Sequence, residues 1–330
     1  MRIKRVIKKV FLVFAFIAIV FAGYFFVGRA SQPEKIAWGV NFSAKYSESL
    51  GLEWREVYSA LVEDLGARNL KIAVHWDIFE PEQGNYNFAD LDWQIKIAEE
   101  NKAKIIPVIG MKTSRWPECH LPDWARNLGK TEQQEKILEM IRAIVSRYKD
   151  SRAIKYWQVE NEPFFLFGEC PWQDREFLVR EIKLVKTLDP AHPVMITDTG
   201  EWSFWFKSAK LGDLVGTTMY RQAWMKEINF SARYHFPAVS YSRKALLIKL
   251  LFGKKVICAE LQAEPWGKKP VYELPLEEQE KTMNLKQFQE NIRYAQKSGL
   301  DEFYFWGGEW WFWQKKQGHP EIWNEAKKLF

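Results

Sequence analysis

Short apolar runs alternate with longer segments of helical period through most of the chain. The short runs have the length and the β-branched and aromatic content of strands, and the segments between them have the length of crossover helices. This alternation predicts a parallel sheet with helices packed outside it. Eight runs fit the strand pattern: Ile36–Phe42, Leu70–Trp76, Lys104–Gly110, Ile154–Glu160, Val194–Asp198, Leu214–Met219, Lys255–Glu260 and Glu302–Trp306.

Continuous apolar stripes mark two of the intervening helices. One stripe contains Ile137, Ile141 and Ile144, and another contains Phe288 and stops at Gly299, which is typical of a helix C-terminal cap. Eight strand–helix units fit a closed barrel better than an open doubly wound sheet. No glycine-rich dinucleotide or phosphate loop follows the first strand. The sequence therefore predicts an α/β fold of the TIM (β/α)8 barrel type.

The first thirty residues have a different character. Five basic residues occupy positions 2–9, and no charge interrupts the apolar run 10–27. This run is long for a cleaved signal and just long enough to span a bilayer, and its positive flank predicts a cytoplasmic amino terminus. We expect residues 1–30 to be an uncleaved transmembrane anchor, with the barrel of residues 31–330 outside the cytoplasm. The alternative is a signal peptide cut near residues 28–31, which would release a secreted protein.

Charge is concentrated at the same end of the chain. The net charge is +6, and residues 1–30 contain six basic and no acidic residues, so the rest of the chain is neutral. A neutral barrel gives no global electrostatic reason to expect a nucleic-acid partner. No Pro/Gly/Ser-rich linker divides residues 31–330. We expect this part to form one domain and the protein to be a monomer.

Two of the predicted strands end in a glutamate. The fourth runs into Asn161-Glu162-Pro163, and the seventh ends at Glu260. Because the carboxyl ends of all barrel strands meet on one face, we expect both carboxyl groups to line one cleft. Two carboxyl groups so placed can cleave a glycosidic bond, one as the proton donor and the other as the nucleophile. Glu264 is an alternative to Glu260, but the strand phase favours Glu260.

This arrangement resembles glycoside hydrolase clan A, whose retaining enzymes are βα barrels with an Asn-Glu acid/base after the fourth strand and a nucleophile after the seventh. The resemblance implies that Glu162 is the acid/base and Glu260 the nucleophile of a retaining hydrolase acting on a β-linked oligo- or polysaccharide. Retention requires the two carboxyl groups to lie about 5–5.5 Å apart. A transglycosylase with the same site and a non-catalytic carbohydrate-binding barrel are the alternatives.

The resemblance extends to other strand ends. Asn161 matches the clan residue that hydrogen-bonds the sugar 2-hydroxyl, Tyr220 the tyrosine that steadies the nucleophile, and Trp306 the tryptophan beneath the sugar. A turn-capping Asn and a core-edge Tyr are the local alternatives. Lys71 departs from the pattern, since many members have an arginine there. A lysine keeps the charge but loses the bidentate fork.

Other segments limit how closely a family can be identified. Residues 79–92 resemble a rim-shaping loop of families 10, 42 and 53, and Leu121–Trp124 resembles part of a family 10 motif. The third strand, residues 106–112, lacks the His-containing motif of family 10. The likeness therefore covers about residues 35–330 at clan level, with partial likeness to families 5, 10, 42 and 53.

Four further residues are candidates for sugar contact because they lie at or just after strand ends. His75 and Trp76 end the second strand, and Glu264 and Trp266 follow the seventh. An indole packs well on the C–H face of a pyranose, and a carboxylate can accept a hydrogen bond from a sugar hydroxyl. Rim packing for the tryptophans and a solvated charge for Glu264 are the alternative roles.

Cys119, Cys170 and Cys258 have neither metal-ligand spacing nor the surroundings of a thiol nucleophile. We therefore expect neither a metal site nor thiol catalysis, and a retaining hydrolase of the kind that the resemblance implies would act without a metal or an organic cofactor. Cys119 follows the third strand and Cys170 the fourth, so their loops are neighbours on one face of a barrel. In an oxidising compartment we expect a Cys119–Cys170 disulfide, with two unpaired loop thiols as the alternative. Cys258 lies within a strand and is expected to be a buried free thiol.

A basic and apolar segment lies between the sixth and seventh strands. Its apolar triplets are residues 246–248 and 250–252, and the basic residues around them are Arg243, Lys244, Lys249, Lys254 and Lys255. An outer barrel helix with a solvated basic face is the favoured interpretation, and a membrane-facing helix is the alternative.

Overall fold

The eight predicted strands close into one parallel barrel. The computed structural model describes residues 2–225 and 230–330. The barrel strands are β1 Ala37–Phe42, β2 Asn69–Ala73, β3 Lys104–Ile109, β4 Trp157–Val159, β5 Val194–Asp198, β6 Leu214–Met219, β9 Lys255–Gln262 and β10 Glu302–Trp306. Strand β10 pairs with β1 and closes the ring. The predicted α/β TIM barrel is thus confirmed.

The first helix precedes the barrel, and the other helices connect its strands or follow the last one. The helices are α1 Arg2–Phe26, α2 Ala44–Ser49, α3 Trp54–Ser59, α4 Trp76–Phe79, α5 Ala89–Glu100, α6 Lys130–Tyr148, α7 Arg175–Leu188, α8 Phe206–Leu211, α9 Val239–Phe252, α10 Leu276–Glu280, α11 Leu285–Gln296, α12 Gly308–Lys316 and α13 Glu321–Ala326. Side-chain caps define where some of them begin. The Asp174 carboxylate accepts hydrogen bonds from the first amides of α7, and Asn284 caps α11 in the same way.

The barrel is filled by side chains and has no open pore. Its interior cluster consists of Ile106, Met195, Leu214, Ile257, Ala259 and Tyr304, all buried. The Tyr304 ring fits because Gly39 faces it, and a Cβ at Gly39 would lie 2.6 Å from that ring. A larger apolar cluster packs the outer faces of the strands against the helices. A ligand site must therefore lie at an end of the barrel, where the loops meet.

One element of the barrel rim was not predicted. In the connection after β6, β7 Gln222–Met225 and β8 Phe230–Arg233 form an antiparallel hairpin. A two-stranded hairpin is marginal alone, so contacts with the barrel must support it. The side chain of Gln262, the last residue of β9, accepts hydrogen bonds from the amides of Arg221 and Gln222 at 2.8 and 2.9 Å. The hairpin is thereby tied to the strand that carries Glu260.

Helix α1 has the length and composition of a membrane span. Its segment Lys9–Phe26 has a mean hydropathy of 2.3 over 18 residues, of which 6% are buried. A signal sequence near an amino terminus would meet the same criteria, so either a signal anchor or a signal peptide fits. The end of α1 packs on the barrel, with the Phe25 ring 5.4 Å from the ring of Phe204.

The structure contains the Cys119–Cys170 disulfide that the loop positions predict, with the two α-carbons 5.1 Å apart. It joins the loops that follow β3 and β4, on the face where the strands end. Cys258 is free and buried in β9, and burial raises the pKa of its thiol well above the ordinary value.

Helix α9 differs from the solvated basic helix favoured by the sequence. Lys244 is buried and donates to the carbonyl oxygens of Gly200 and Ser203. Burial lowers the pKa of Lys244 to about 8. Leucines of this helix, Leu250 among them, are exposed instead. The amphipathic pattern of α9 is therefore partly reversed, with a lysine inside and leucines outside.

Candidate active site

Strand ends converge on the carboxylate of Glu260. This side chain lies near the end of β9 and is 3% exposed. Lys71 of β2 donates to its Oε1 at 2.8 Å, and Tyr220, just after β6, donates to its Oε2 at 2.9 Å. Each carboxylate oxygen thus faces its own donor, one of them a buried ammonium. These contacts suit an ionised carboxylate held in one orientation.

Glu162 lies three residues after β4 and is half-buried in the same cleft. Its amide donates to Thr197 Oγ1 at 2.8 Å. Lys112 donates from its Nζ to the carbonyl oxygens of Glu162 and Phe165, which holds the turn after β4. Burial, together with the negative charges of Glu260 and Glu118, raises the pKa of Glu162 well above its ordinary value. Glu162 therefore holds its proton more tightly than an exposed glutamate does.

A third carboxyl group, Glu118, belongs to the same cleft, and sequence reasoning missed it. Asn161 donates from Nδ2 to Glu118 Oε2 at 3.0 Å, while Gln158 donates to Asn161 Oδ1 at 3.1 Å. Burial raises the pKa of Glu118 to about 7, and the charge of Glu260 adds to the effect. One feature of the sequence could have indicated this position: Glu118 precedes Cys119, and the predicted disulfide of Cys119 places its loop at the cleft.

Left-handed backbone conformations are concentrated in this cleft. Within the described residues, the non-glycine residues with positive φ are Lys102, Arg115, Glu118, Glu160, Glu162 and Trp205. Four of these six lie on the loops after β3 and β4. Such conformations are disfavoured for side-chain-bearing residues and persist where the surroundings enforce them, often at functional sites.

Glu160, the predicted last residue of the fourth strand, has a structural role. Its carboxylate accepts the amides of Met111 and Lys112 at 2.8 and 2.6 Å. It lies so close to Gly110 that a Cβ there would be 2.4 Å from its Oε1. The ends of β3 and β4 are thereby clamped together. Burial raises the pKa of Glu160 and, more strongly, that of neighbouring Glu181.

A buried arginine organises the other side of the cleft. The Arg115 guanidinium lies between two rings, 3.6 Å from the centroid of Tyr46 and 4.0 Å from that of Trp306. It pairs with Glu264 and with Glu309, the latter at 3.0 Å. Glu264, a predicted sugar ligand, is therefore paired with Arg115. One face of the Trp306 ring is covered by the same guanidinium.

The remaining candidates after β2 are buried. His75 contacts Ser43 Oγ and Thr113 Oγ1, each at 2.9 Å, and burial lowers its pKa well below the ordinary value. His75 is thus a neutral ring that links the loops after β1 and β3. Trp76 is fully buried and donates to Glu80 Oε2 at 2.7 Å. In this structure its indole presents no surface to a ligand.

Aromatic rings lead outward from the Glu260 region. Trp266 packs edge-on against Tyr220 with centroids 5.0 Å apart, and Phe167 lies 6.4 Å beyond Trp266. Trp116 follows at 6.0 Å from Phe167 and is exposed. These rings form a continuous line from the buried carboxylate to solvent, along the loops after β9, β4 and β3.

No group of three or more His, Cys, Asp or Glu side chains is arranged to hold a metal ion among the residues that the structure describes. The carboxyl groups of the cleft have different surroundings: Glu260 accepts from two donors, Glu162 has a pKa raised by burial and neighbouring negative charge, and Glu118 is bonded to Asn161. Carboxyl groups whose surroundings differ in this way can act as an acid and a nucleophile.

Comparison with known proteins supports the same interpretation. The Glycosyl hydrolase family 10 model matches residues 36–190, which include β1 to β4 and Glu162. Endo-1,4-beta-xylanase 3 from Hypocrea jecorina is 25% identical over 185 residues, which make up 54% of this chain and 50% of the relative. The chain thus spans about half the length of the curated relatives it matches.

Solved barrels resemble the structure over most of its length. Xylanase 10B from Thermotoga petrophila RKU-1, in complex with xylobiose, has a TM-score of 0.53 at 20% identity, covering 83% of this chain and 82% of that chain. The endo-beta-1,4-mannanase from Thermotoga petrophila has a TM-score of 0.59 at 16% identity, covering 90% and 77%. Likeness at such identities establishes the fold. Together with the family model and the xylanase relative, it supports the resemblance of this chain to the glycoside hydrolases of clan A.

Proposed function

We propose that this protein is a retaining glycoside hydrolase that cleaves a β-linked oligo- or polysaccharide by double displacement. Glu260 is the nucleophile and Glu162 the acid/base. The observation that carries the proposal is the contrast between the two carboxyl groups. Glu260 accepts from an ammonium and a phenol, whereas burial and the neighbouring negative charges raise the pKa of Glu162.

In the first step, the Glu260 carboxylate attacks the anomeric carbon and forms an ester bond to the sugar. The bond from that carbon to the leaving oxygen breaks, and Glu162 gives its proton to this oxygen. Burial and the charge of Glu118 still raise the pKa of Glu162 at this stage, but the contribution of the Glu260 charge is removed because Glu260 is now a neutral ester. In the second step Glu162 removes a proton from water, the water oxygen bonds to the anomeric carbon, and the ester breaks.

The other residues of the cleft would position these groups and the sugar. Lys71 and Tyr220 hold the two oxygens of Glu260, which fixes the direction of attack. Asn161 shares its Nδ2 with Glu118, so a sugar hydroxyl that approaches this amide also meets a carboxyl group. The line of rings from Trp266 to Trp116 is suited to stacking of further sugar units.

We further propose that α1 anchors the enzyme and that the barrel acts outside the cytoplasm. The length and hydropathy of Lys9–Phe26 support a span, and basic residues precede it. A disulfide between Cys119 and Cys170 fits an oxidising compartment.

The test is covalent trapping. The full chain in detergent is incubated with activated 2-deoxy-2-fluoro glycosides of xylose, glucose, galactose and mannose and of their β-1,4-linked disaccharides, and its intact mass is measured. The xylose series comes first because a relative is named as an endo-1,4-β-xylanase. The expected result is one added glycosyl group, mapped to Glu260 and absent from Glu260→Ala. Glycan binding without an adduct from any member would instead favour a non-catalytic binding barrel.

A further inference from the structure

The surface beside α1 has an unusual density of exposed apolar side chains. Trp202 and Leu250 are each 72% exposed and Leu251 is 60% exposed; Phe204, Phe206 and Leu246 are also exposed. They belong to the loop after β5, to α8 and to α9, and we refer to these six residues as the apolar patch. Monomeric soluble proteins seldom expose large contiguous apolar surfaces without a partner.

Ring contacts connect this patch to the end of α1. The ring of Phe204 lies 6.0 Å from that of Phe21 and 5.4 Å from that of Phe25. Phe204 in turn stacks with Phe206 at 5.9 Å.

A second route begins at the last residue of α1. The rings of Phe26 and Phe236 are 6.1 Å apart, and Phe236 packs edge-on against Trp202 at 5.3 Å. The aromatic residues of the patch are therefore continuous with the carboxyl-terminal turns of the helix. Helix α9, which carries the three leucines, also contacts α1, with the Arg243 guanidinium 4.9 Å from the centroid of the Tyr24 ring.

The length of α1 determines how deep these contacts lie. The apolar segment Lys9–Phe26 has 18 residues, which at about 1.5 Å per residue span about 27 Å. The hydrocarbon core of a bilayer is about 30 Å thick. The whole segment is needed to cross a core of this thickness, so residues Phe21 to Phe26 must lie within the membrane if α1 crosses it.

The barrel residues that touch those turns must then lie at the same depth. Phe21 precedes Phe26 by about 7.5 Å along the helix axis, and the ring of Phe204 packs near the ring of Phe21 at the start of this stretch. An aqueous position for Phe204 would pull the end of α1 out of the hydrocarbon. The exposed lysines of the two helices, Lys207, Lys210 and Lys249, suit anionic lipid headgroups.

We propose that the apolar patch is embedded in the leaflet on the barrel side of the membrane, so that the barrel lies on the bilayer and does not hang from α1 by a free tether. The occupant of the patch is lipid. This inference rests on the proposed insertion of α1 and is independent of the proposed hydrolase activity.

The experiment is site-directed spin labelling of the full chain in nanodiscs of phosphatidylcholine and phosphatidylglycerol. The native cysteines are either in a disulfide or buried, so a thiol reagent selects an introduced cysteine. Labels are placed by Leu250→Cys and Trp202→Cys in the patch, Phe14→Cys in α1 and Glu100→Cys in α5. Helix α5 follows β2, which lies opposite β6 in the ring of eight strands. Collision of each label with oxygen and with a water-soluble nickel chelate is then measured.

We expect the labels at positions 250, 202 and 14 to have a several-fold higher ratio of oxygen to nickel collisions than the label at position 100. Equal ratios at 250, 202 and 100 would overturn the proposal. So would a label at position 14 that is open to nickel, because α1 would then not span. A patch label shielded from both reagents would also overturn it, since a protein contact and not lipid would cover the patch.

A matched pair of variants tests whether the leucines of α9 hold the patch in the lipid. Leu250→Glu with Leu251→Glu should return the label at position 202 to nickel access, whereas Leu166→Glu, at an exposed leucine outside the patch, should leave it in lipid. Unchanged melting temperatures show that both variants fold. If both variants leave the label in lipid, embedding through the α9 leucines is refuted.

Discussion

Replacing Glu118 by glutamine should stabilise the protein at alkaline pH but not at acidic pH. Glu118 is 6% exposed and accepts a hydrogen bond from Asn161, which a glutamine oxygen can also accept. Burial raises its pKa from 4.5 to about 7. The folded chain therefore binds this proton more tightly than the unfolded chain does.

The sign and size of the effect follow from proton linkage. Below about pH 4.5 both states are protonated, and the group contributes no difference. Between pH 4.5 and 7 the unfolded chain loses its proton first, so the free energy of unfolding falls as the pH rises. Above pH 7 the folded chain carries a buried carboxylate, at a cost of about 3 kcal/mol. Glu118→Gln removes this cost.

The measurement is the free energy of unfolding by urea, followed by tryptophan fluorescence, for the full chain in detergent at pH 4.5 and pH 8. The difference between variant and wild type should grow by about 3 kcal/mol in favour of the variant between the two pH values. Glu100→Gln, at an exposed site on α5, should show no such growth. A difference between Glu118→Gln and wild type that is the same at both pH values would refute the reasoning.

Three other predictions concern the cleft. Glu260→Ala should abolish turnover of all substrates, whereas Glu162→Ala should retain activity on aryl glycosides with good leaving groups, which need little acid assistance; equal loss on all substrates would contradict these roles. Lys71→Met should lower the free energy of unfolding by about 3–5 kcal/mol because it leaves Glu260 buried without its cation. Adding Glu260→Gln should restore most of this stability, and an unchanged free energy of unfolding in Lys71→Met alone would count against the ion pair. Reducing the Cys119–Cys170 bond should cost about 4 kcal/mol for a sequence separation of 51, and peptide mapping in which both thiols are alkylated without prior reduction would exclude the bond.

Much of the fold and part of the cleft followed from local patterns. The period of apolar residues identified all eight barrel strands, because strand and helix spacing is a property of consecutive residues. Once a parallel barrel is inferred, the ends of its strands must share one face. The sequence therefore placed Glu162 and Glu260 together, and the contacts of Glu260 with Lys71 and Tyr220 lie at this face.

The tertiary structure decided what the long loops do. Glu118 and Arg115 lie in the connection after β3, and nothing in their neighbours along the chain indicates that one reaches Asn161 and the other Trp306. Likewise, the basic pattern of α9 did not reveal that Lys244 points inward. Local propensity fixes the type of an element, but the partner of a loop side chain depends on which distant segments the closed barrel brings beside it. For this protein the sequence predicted the barrel, the apolar amino-terminal helix and the two strand-end glutamates, whereas only the folded chain determined which buried charges surround those glutamates.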